Sequence, residues 1–156
     1  MGYRIVLAAD QAGVGYKDAI AALLATDDRV DAVIDVGVKA DTDPTAYPHL
    51  AVEGARLIAA GEADRGIFVC GTGMGVAIAA NKVPGVRAST AHDSYSVERL
   101  VKSNNGQVLC LGERVIGREL ALKLVSEFLG HVFDPESPSN EKVHVIEAYE
   151  EEEKES

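Results

Sequence analysis

The sequence is poor in cysteine, in positive charge and in long apolar runs, and each shortage removes a class of function. Cys70 and Cys110 are the two cysteines. Two are too few for a disulfide framework, and they stand at no metal-ligand spacing. His49, His92, His131 and His144 show no ligand spacing either, so neither a metal nor another cofactor is expected. Only 15 Lys and Arg stand against 25 Asp and Glu, for a net charge of −10. No basic stripe is present, which argues against nucleic acid as a partner. Half of the negative charge lies in Glu147 to Ser156, which holds six Glu and one Lys. No apolar run reaches about 18 residues and no targeting pattern opens the chain. The expectation is a cytoplasmic protein that does not meet a membrane.

What is present is regular. The length of 156 residues and the 47% apolar content fit one domain, 1–146, followed by an acidic C-terminal tail, 147–156. Apolar strands are expected over Arg4–Ala9, Ala32–Val36, Arg65–Val69, Val86–Thr90 and Gln107–Leu111. Residues at helical spacing fill the intervals, with a loop from Lys39 to Pro48 and a helix from Leu50. Strict alternation with nearly all-apolar strands implies a parallel sheet covered on both faces. The fold expected is α/β: a three-layer doubly wound, Rossmann-like domain with strand order 2-1-3-4-5 and an extra C-terminal helix. Its switch point lies between the first and third strands, where ligands bind at the carboxyl ends. Those ends carry Asp10 and Cys70.

The third strand runs into Cys70-Gly71-Thr72-Gly73-Met74-Gly75 and then a small-residue helix. Glycines there let the backbone approach a ligand, and a helix start favours an anion. Cys70 is either a buried strand-end residue or a base or nucleophile at the loop mouth. Cys110, between Leu109 and Leu111, reads as core. A dinucleotide fingerprint does not fit, because position 76 is Val and the loop follows the third strand. A Walker loop lacks its lysine. Asp10 is a turn residue or a ligand hydroxyl contact. His92 ends the fourth strand on the ligand side. Arg114, after the fifth strand, is a phosphate contact or a surface charge.

Several segments carry a resemblance together. They are Asp10-x-Ala12-Gly13, Tyr47-Pro48, Gly61-Glu62-Ala63-Asp64, Cys70 to Gly75, Ala79-Ala80-Asn81-Lys82, Gly85-x-Arg87-Ala88, His92-Asp93-x-Tyr95-Ser96 and Gly112-x-Arg114-Val115-x-Gly117. In this order and spacing, from Tyr3 to Phe133, the chain resembles the type B ribose-5-phosphate isomerase family, which includes the galactose-6-phosphate isomerase subunits. The resemblance implies metal-free aldose–ketose isomerisation through a cis-enediolate, in a homodimer or dimer of dimers whose active sites use both chains. It implies Cys70 as the base between C1 and C2 and Thr72 as the hydroxyl relaying a proton between O1 and O2. Main-chain N–H groups around Gly71, Gly73 and Gly75, with Asn104, match the anion hole. Asp10 and Tyr47 match sugar contacts, and Arg114 a phosphate ligand.

Three departures stand out. The family's ring-opening His is Ser103 here. The His after the first Asp is Gln11. The basic C-terminal segment reads Pro135-Glu136-Ser137-Pro138, leaving Lys142 as the phosphate-binding cation to expect, beside Arg114, with Arg87 and Arg99 as further candidates. A four-carbon sugar with phosphate on O4 cannot close a furanose ring, so its enzyme needs no ring-opening histidine. The expected reaction is therefore D-erythrulose 4-phosphate to D-erythrose 4-phosphate. The alternatives are ribose 5-phosphate with ribulose 5-phosphate, His92 opening the ring, and a non-catalytic subunit or phosphate-binding module.

Overall fold

The computed structural model describes residues 1–156. Strands and helices alternate as β1 (Tyr3–Ala9), α1 (Val14–Leu24), β2 (Val30–Asp35), α2 (Tyr47–Ala59), β3 (Arg65–Cys70), α3 (Met74–Ala80), β4 (Ala88–Thr90), α4 (Ser94–Lys102), β5 (Val108–Gly112), α5 (Arg118–Gly130) and α6 (Ser139–Glu155). Successive strand side chains point to opposite faces, and here both faces are apolar. Val6, Ala8, Phe68, Cys70, Val108 and Cys110 pack under α2 and α3. Ile5, Leu7, Ile67, Val69, Leu109 and Leu111 pack under α1, α4 and α5. The doubly wound α/β expectation holds, with all strand pairs parallel.

The order of the last two strands does not follow expectation. The sheet runs β2-β1-β3-β5-β4, not 2-1-3-4-5. The reason is in the strands themselves. β5 is buried along its whole length, as a strand between two neighbours must be. β4 has three residues, two of them hydroxylated, and none is fully buried. Short polar strands suit a sheet edge. In consequence α3 crosses over β5 to reach β4. The Asn81 side chain clasps the edge there: Asn81 Nδ2 donates to Ala88 O and Asn81 Oδ1 accepts from Ala88 N, each at 2.8 Å.

One helix start also shifts. α2 begins at Tyr47 rather than at Leu50, because Pro48 sits in the first turn, where a missing N–H costs nothing. α6 runs on through the acidic segment. Glu147 pairs with Arg87 at 3.4 Å and Glu150 accepts the Gly85 N–H at 2.9 Å. No helix is long and apolar enough to cross a membrane.

Arg65 shows how the far edge of the sheet is closed. It is 8% exposed, at the start of β3. Its guanidinium donates to Phe128 O and, at 2.6 Å, to His131 O, taking up carbonyls at the end of α5. The rings of Tyr3 and Phe128 lie 4.5 and 4.9 Å from it. Arg65→Met keeps the stem and strands those carbonyls. Urea unfolding should show a loss of about 2–3 kcal/mol, as for hydrogen bonds to a buried charge.

Candidate active site

The carboxyl ends of β1, β3 and β5 emerge side by side. β3 pairs with β1 as far as Ala9 opposite Val69, and with β5 as far as Cys70 opposite Gly112. Asp10, Cys70 and Arg114 therefore leave the sheet on one edge. Their loops are tied by main-chain bonds. The N–H of Glu113 donates to Cys70 O and that of Arg114 to Gly71 O, both at 3.0 Å.

Cys70 is 4% exposed, and its Sγ accepts the Gly73 N–H at 3.2 Å. That bond fixes the sulfur under the loop. It needs Gly73 at φ +78°, with its Cα so close to β5 that a Cβ would lie 2.8 Å from the Leu111 main chain. A side chain is excluded there twice over, by conformation and by space. Thr72 stands exposed at the mouth, and its Oγ1 accepts the Met74 N–H at 3.3 Å. Gly75 leaves room for the Tyr47 ring, which a Cβ would meet at 2.5 Å. The Arg114 guanidinium lies beside Gly71, within 3.3 Å of a Cβ placed there, and joins no ion pair of the chain. Asp10 Oδ1 accepts the Ala12 N–H at 3.0 Å, which leaves Oδ2 for a ligand. Gln11 is exposed beside it.

Two contributors escape sequence reasoning. The Glu113 carboxylate accepts the Tyr16 N–H at 2.5 Å and fills the anion-favouring start of α1. A ligand phosphate is thereby kept off that helix end, and Arg114 is the free cation nearby. Thr90 Oγ1 donates to Gly73 O at 2.7 Å. Glu113 adjoins Arg114 and Thr90 stands two residues before His92, but a long-range cap and a hydroxyl aimed at a loop carbonyl leave no spacing signal. No three His, Cys, Asp or Glu side chains come together as metal ligands.

The arrangement is a thiol beneath a turn of main-chain donors, a hydroxyl at its mouth, and an acid and a cation on either side. It suits removal of a proton next to a carbonyl. The sequence model of "Ribose/Galactose Isomerase" matches residues 5–146. D-erythrulose-4-phosphate isomerase 2 of Mycolicibacterium smegmatis is 59% identical over 150 residues, 96% of this chain and 99% of that one. D-erythrulose-4-phosphate isomerase of Pectobacterium atrosepticum is 41% identical over 150 residues, covering 96% and 97%. Among solved structures, ribose-5-phosphate isomerase B of Clostridium thermocellum superposes with a TM-score of 0.90 at 36% identity, covering 96% and 98%.

The chain belongs to the ribose/galactose isomerase family. It is an aldose–ketose isomerase, and its candidate site residues fall into two groups. Asp10, Gln11, Tyr47, Cys70, Gly71, Thr72, Gly73, Gly75, His92 and Arg114 gather at the carboxyl edge. Ser103, Asn104 and Lys142 do not. Helices run back against the strands, so Ser103 and Asn104, at the end of α4, lie near the start of β5. Arg87 Nε donates to Asn104 O and Asn105 O at 3.1 and 3.0 Å there. Cys70 is opposite Gly112, and the span from Gln107 to Gly112 is about 16 Å at strand rise. Lys142 is exposed on α6, the helix that binds Arg87 and Gly85 on that same far side. Arg87 and Arg99 are engaged with Glu147 and Glu98. None of the principal grooves of the chain is lined by Cys70, Thr72 or Arg114.

His92 is at the right edge but already occupied. Its Nε2 accepts the Gly112 N–H at 3.0 Å, which places its proton on Nδ1. Burial pushes its pKa down, more than the nearby Asp93 pulls it up. Asp93 itself caps α4, accepting the Ser96 N–H at 2.7 Å. A histidine held neutral by the fold binds its proton more readily when unfolded. Its contribution to stability is therefore complete above the ordinary value of 6.5 and is lost as pH falls through the lowered folded value. Urea unfolding of the native chain and of His92→Gln between pH 7.5 and 5 should show a shallower acid loss in the variant. Equal slopes would mean that His92 does not titrate with folding.

Proposed function

We propose that this chain isomerises D-erythrulose 4-phosphate to D-erythrose 4-phosphate. The observation that carries the reading is the relative of that activity, 59% identical over 150 residues. Ser103 supports it, since a four-carbon 4-phosphate has no furanose ring to open. His92 supports it too: its Nε2 is spent on Gly112, which removes that atom as a substitute ring opener. The pentose reading draws on the 36% identical structure titled ribose-5-phosphate isomerase B.

The chemistry follows from the loop. Asp10 and Tyr47 hold the sugar hydroxyls and Arg114 the phosphate. The Cys70 thiolate takes the proton from C1 of the ketose, and the electron pair moves through C1–C2 onto O2. The N–H groups of the 71–75 turn that are not spent on Cys70 Sγ and Thr72 Oγ1 face that oxygen. Cys70 returns the proton to C2, while Thr72 carries a proton from O1 to O2. One oriented donor is worth roughly 3 kcal/mol and a placed base about 10²–10⁴ in rate.

The second group of residues completes the site from another copy. In this homodimer, Asn104, Ser103 and Lys142 of one chain close the Cys70 loop of the other. The roughly 16 Å of strand between the two groups supports that arrangement.

Steady-state kinetics on both ketose phosphates tests the substrate. kcat/KM for D-erythrulose 4-phosphate should exceed that for D-ribulose 5-phosphate by more than about tenfold. A preference for the pentose sinks the tetrose reading and leaves the isomerase intact. Cys70→Ala should cost about 10²–10⁴ in kcat and abolish solvent deuterium entry at C1. Sharing between chains has its own test. Cys70→Ala and Asn104→Ala, each nearly inactive, should recover about one quarter of native activity when unfolded and refolded together, because half of the dimers then carry one intact site. No recovery on mixing would place both residues in one chain's site.

A further inference from the structure

Thr90 belongs to no motif of the sequence, yet it reaches the catalytic loop from the edge strand. Its Oγ1 donates to Gly73 O at 2.7 Å. The direction of that bond is fixed, because a carbonyl only accepts. The same peptide unit carries the Met74 N–H, which donates to Thr72 Oγ1 at 3.3 Å. Three groups are thus in series: the Thr90 hydroxyl, the Gly73–Met74 peptide and the Thr72 hydroxyl. A donor on the carbonyl of a peptide strengthens its N–H as a donor, so the bonds support each other.

From this series we infer that Thr90 is a positioning residue for the proton relay, acting on Thr72 through the Gly73–Met74 peptide. This rests on the relay role of Thr72 stated above. A hydroxyl offers one proton and two lone pairs. The Met74 N–H takes up one lone pair of Thr72. One donor and one acceptor remain, and the two oxygens of the substrate, O1 and O2, require one of each. For ketose to aldose, Thr72 gives its proton to O2 and takes the O1 proton, so the hydroxyl is regenerated. Without the Met74 bond the hydroxyl can turn, and the relay loses its orientation.

The placement depends on the observed strand order. Gly73 lies over the end of β5, against Leu111 and Gly112. β4 is the next strand out, and Thr90 pairs with Cys110 at its end. Thr90 is half-buried and stands beside the loop. Asn81 fixes the other end of α3 to Ala88. The edge strand therefore holds α3 at both ends, and Thr90 is the end that touches chemistry.

Two proton movements separate in solution, which makes the inference testable. Cys70 alone exchanges the C1 proton of the ketose with D2O. Isomerisation needs Thr72 as well. Thr90→Val keeps the shape and removes the hydroxyl. Its kcat should fall about tenfold, the worth of one net hydrogen bond, with KM within about twofold. The ratio of C1 exchange to isomerisation should rise, as it should in Thr72→Val. Thr90→Ser should restore both values. Unchanged kcat in Thr90→Val overturns the inference, and so does an equal fall of exchange and isomerisation, which marks simple loosening of the loop. Should Thr90→Val fold poorly, Thr90→Ala gives the same ratio at this half-exposed position. Persistent C1 exchange in Cys70→Ala would instead overturn the assignment of the base, whatever Thr90 does.

Discussion

A single hydrogen bond, from the Gly73 N–H to the Cys70 sulfur at 3.2 Å, sets the geometry on which the site depends. It closes the chain back on the end of β3 and needs a left-handed residue to do so. The turn lands on the end of β5, where a side chain has no room. The peptide that follows points its carbonyl at Thr90 and its N–H at Thr72. Exchanging β4 and β5 would take Thr90 away from Gly73 and leave that carbonyl bare. The edge position of β4 is thus part of how the loop is held.

Most of this fold is legible in the sequence. Apolar runs of strand length, each followed by a helical pattern, set the class and placed Asp10 and Cys70 on one edge. What periodicity cannot rank is the order of two parallel strands, since either order satisfies the connections. β4 and β5 were separable only by polarity: Ser89 and Thr90 against Leu109, Cys110 and Leu111. The start of α2 was hidden because proline reads as a breaker, although the first helical turn accepts it. Cys110 is core, as its neighbours imply, and burial pushes its thiol well above the ordinary value of 9.0.

Electrostatics divides the carboxyl edge. In doubly wound folds the start of the first helix is a natural phosphate seat. Here Glu113 occupies it from the loop after β5, and a Cβ on Gly15 would lie 2.7 Å from that carboxylate. Tyr16 adds a second tie, its hydroxyl donating to Ile116 O at 2.8 Å. The residue after Glu113 presents its guanidinium beside Gly71 with no partner in the chain. One loop thus closes one anion seat and opens another. The sign of each charge is plain in Glu113-Arg114, but which one faces α1 is decided by the fold.

The separation of Cys70 from Ser103 explains how a substrate can change while the chemistry stays. Apart from Asn104, everything proposed for proton transfer comes from one continuous turn, its main-chain bonds and one supporting strand. Those parts constrain each other closely: Gly73, Gly75 and Thr90 have little freedom to vary. Ser103 and Lys142 touch none of them. They sit at the opposite edge, on the end of α4 and on α6. On the proposed reading, a substitution there alters what the site admits without disturbing the sulfur or the hydroxyl. On the same reading, a serine where the resemblance places a ring-opening histidine leaves the proton-transfer turn untouched, and a tetrose phosphate, which has no ring to open, is the substrate for which that change is harmless.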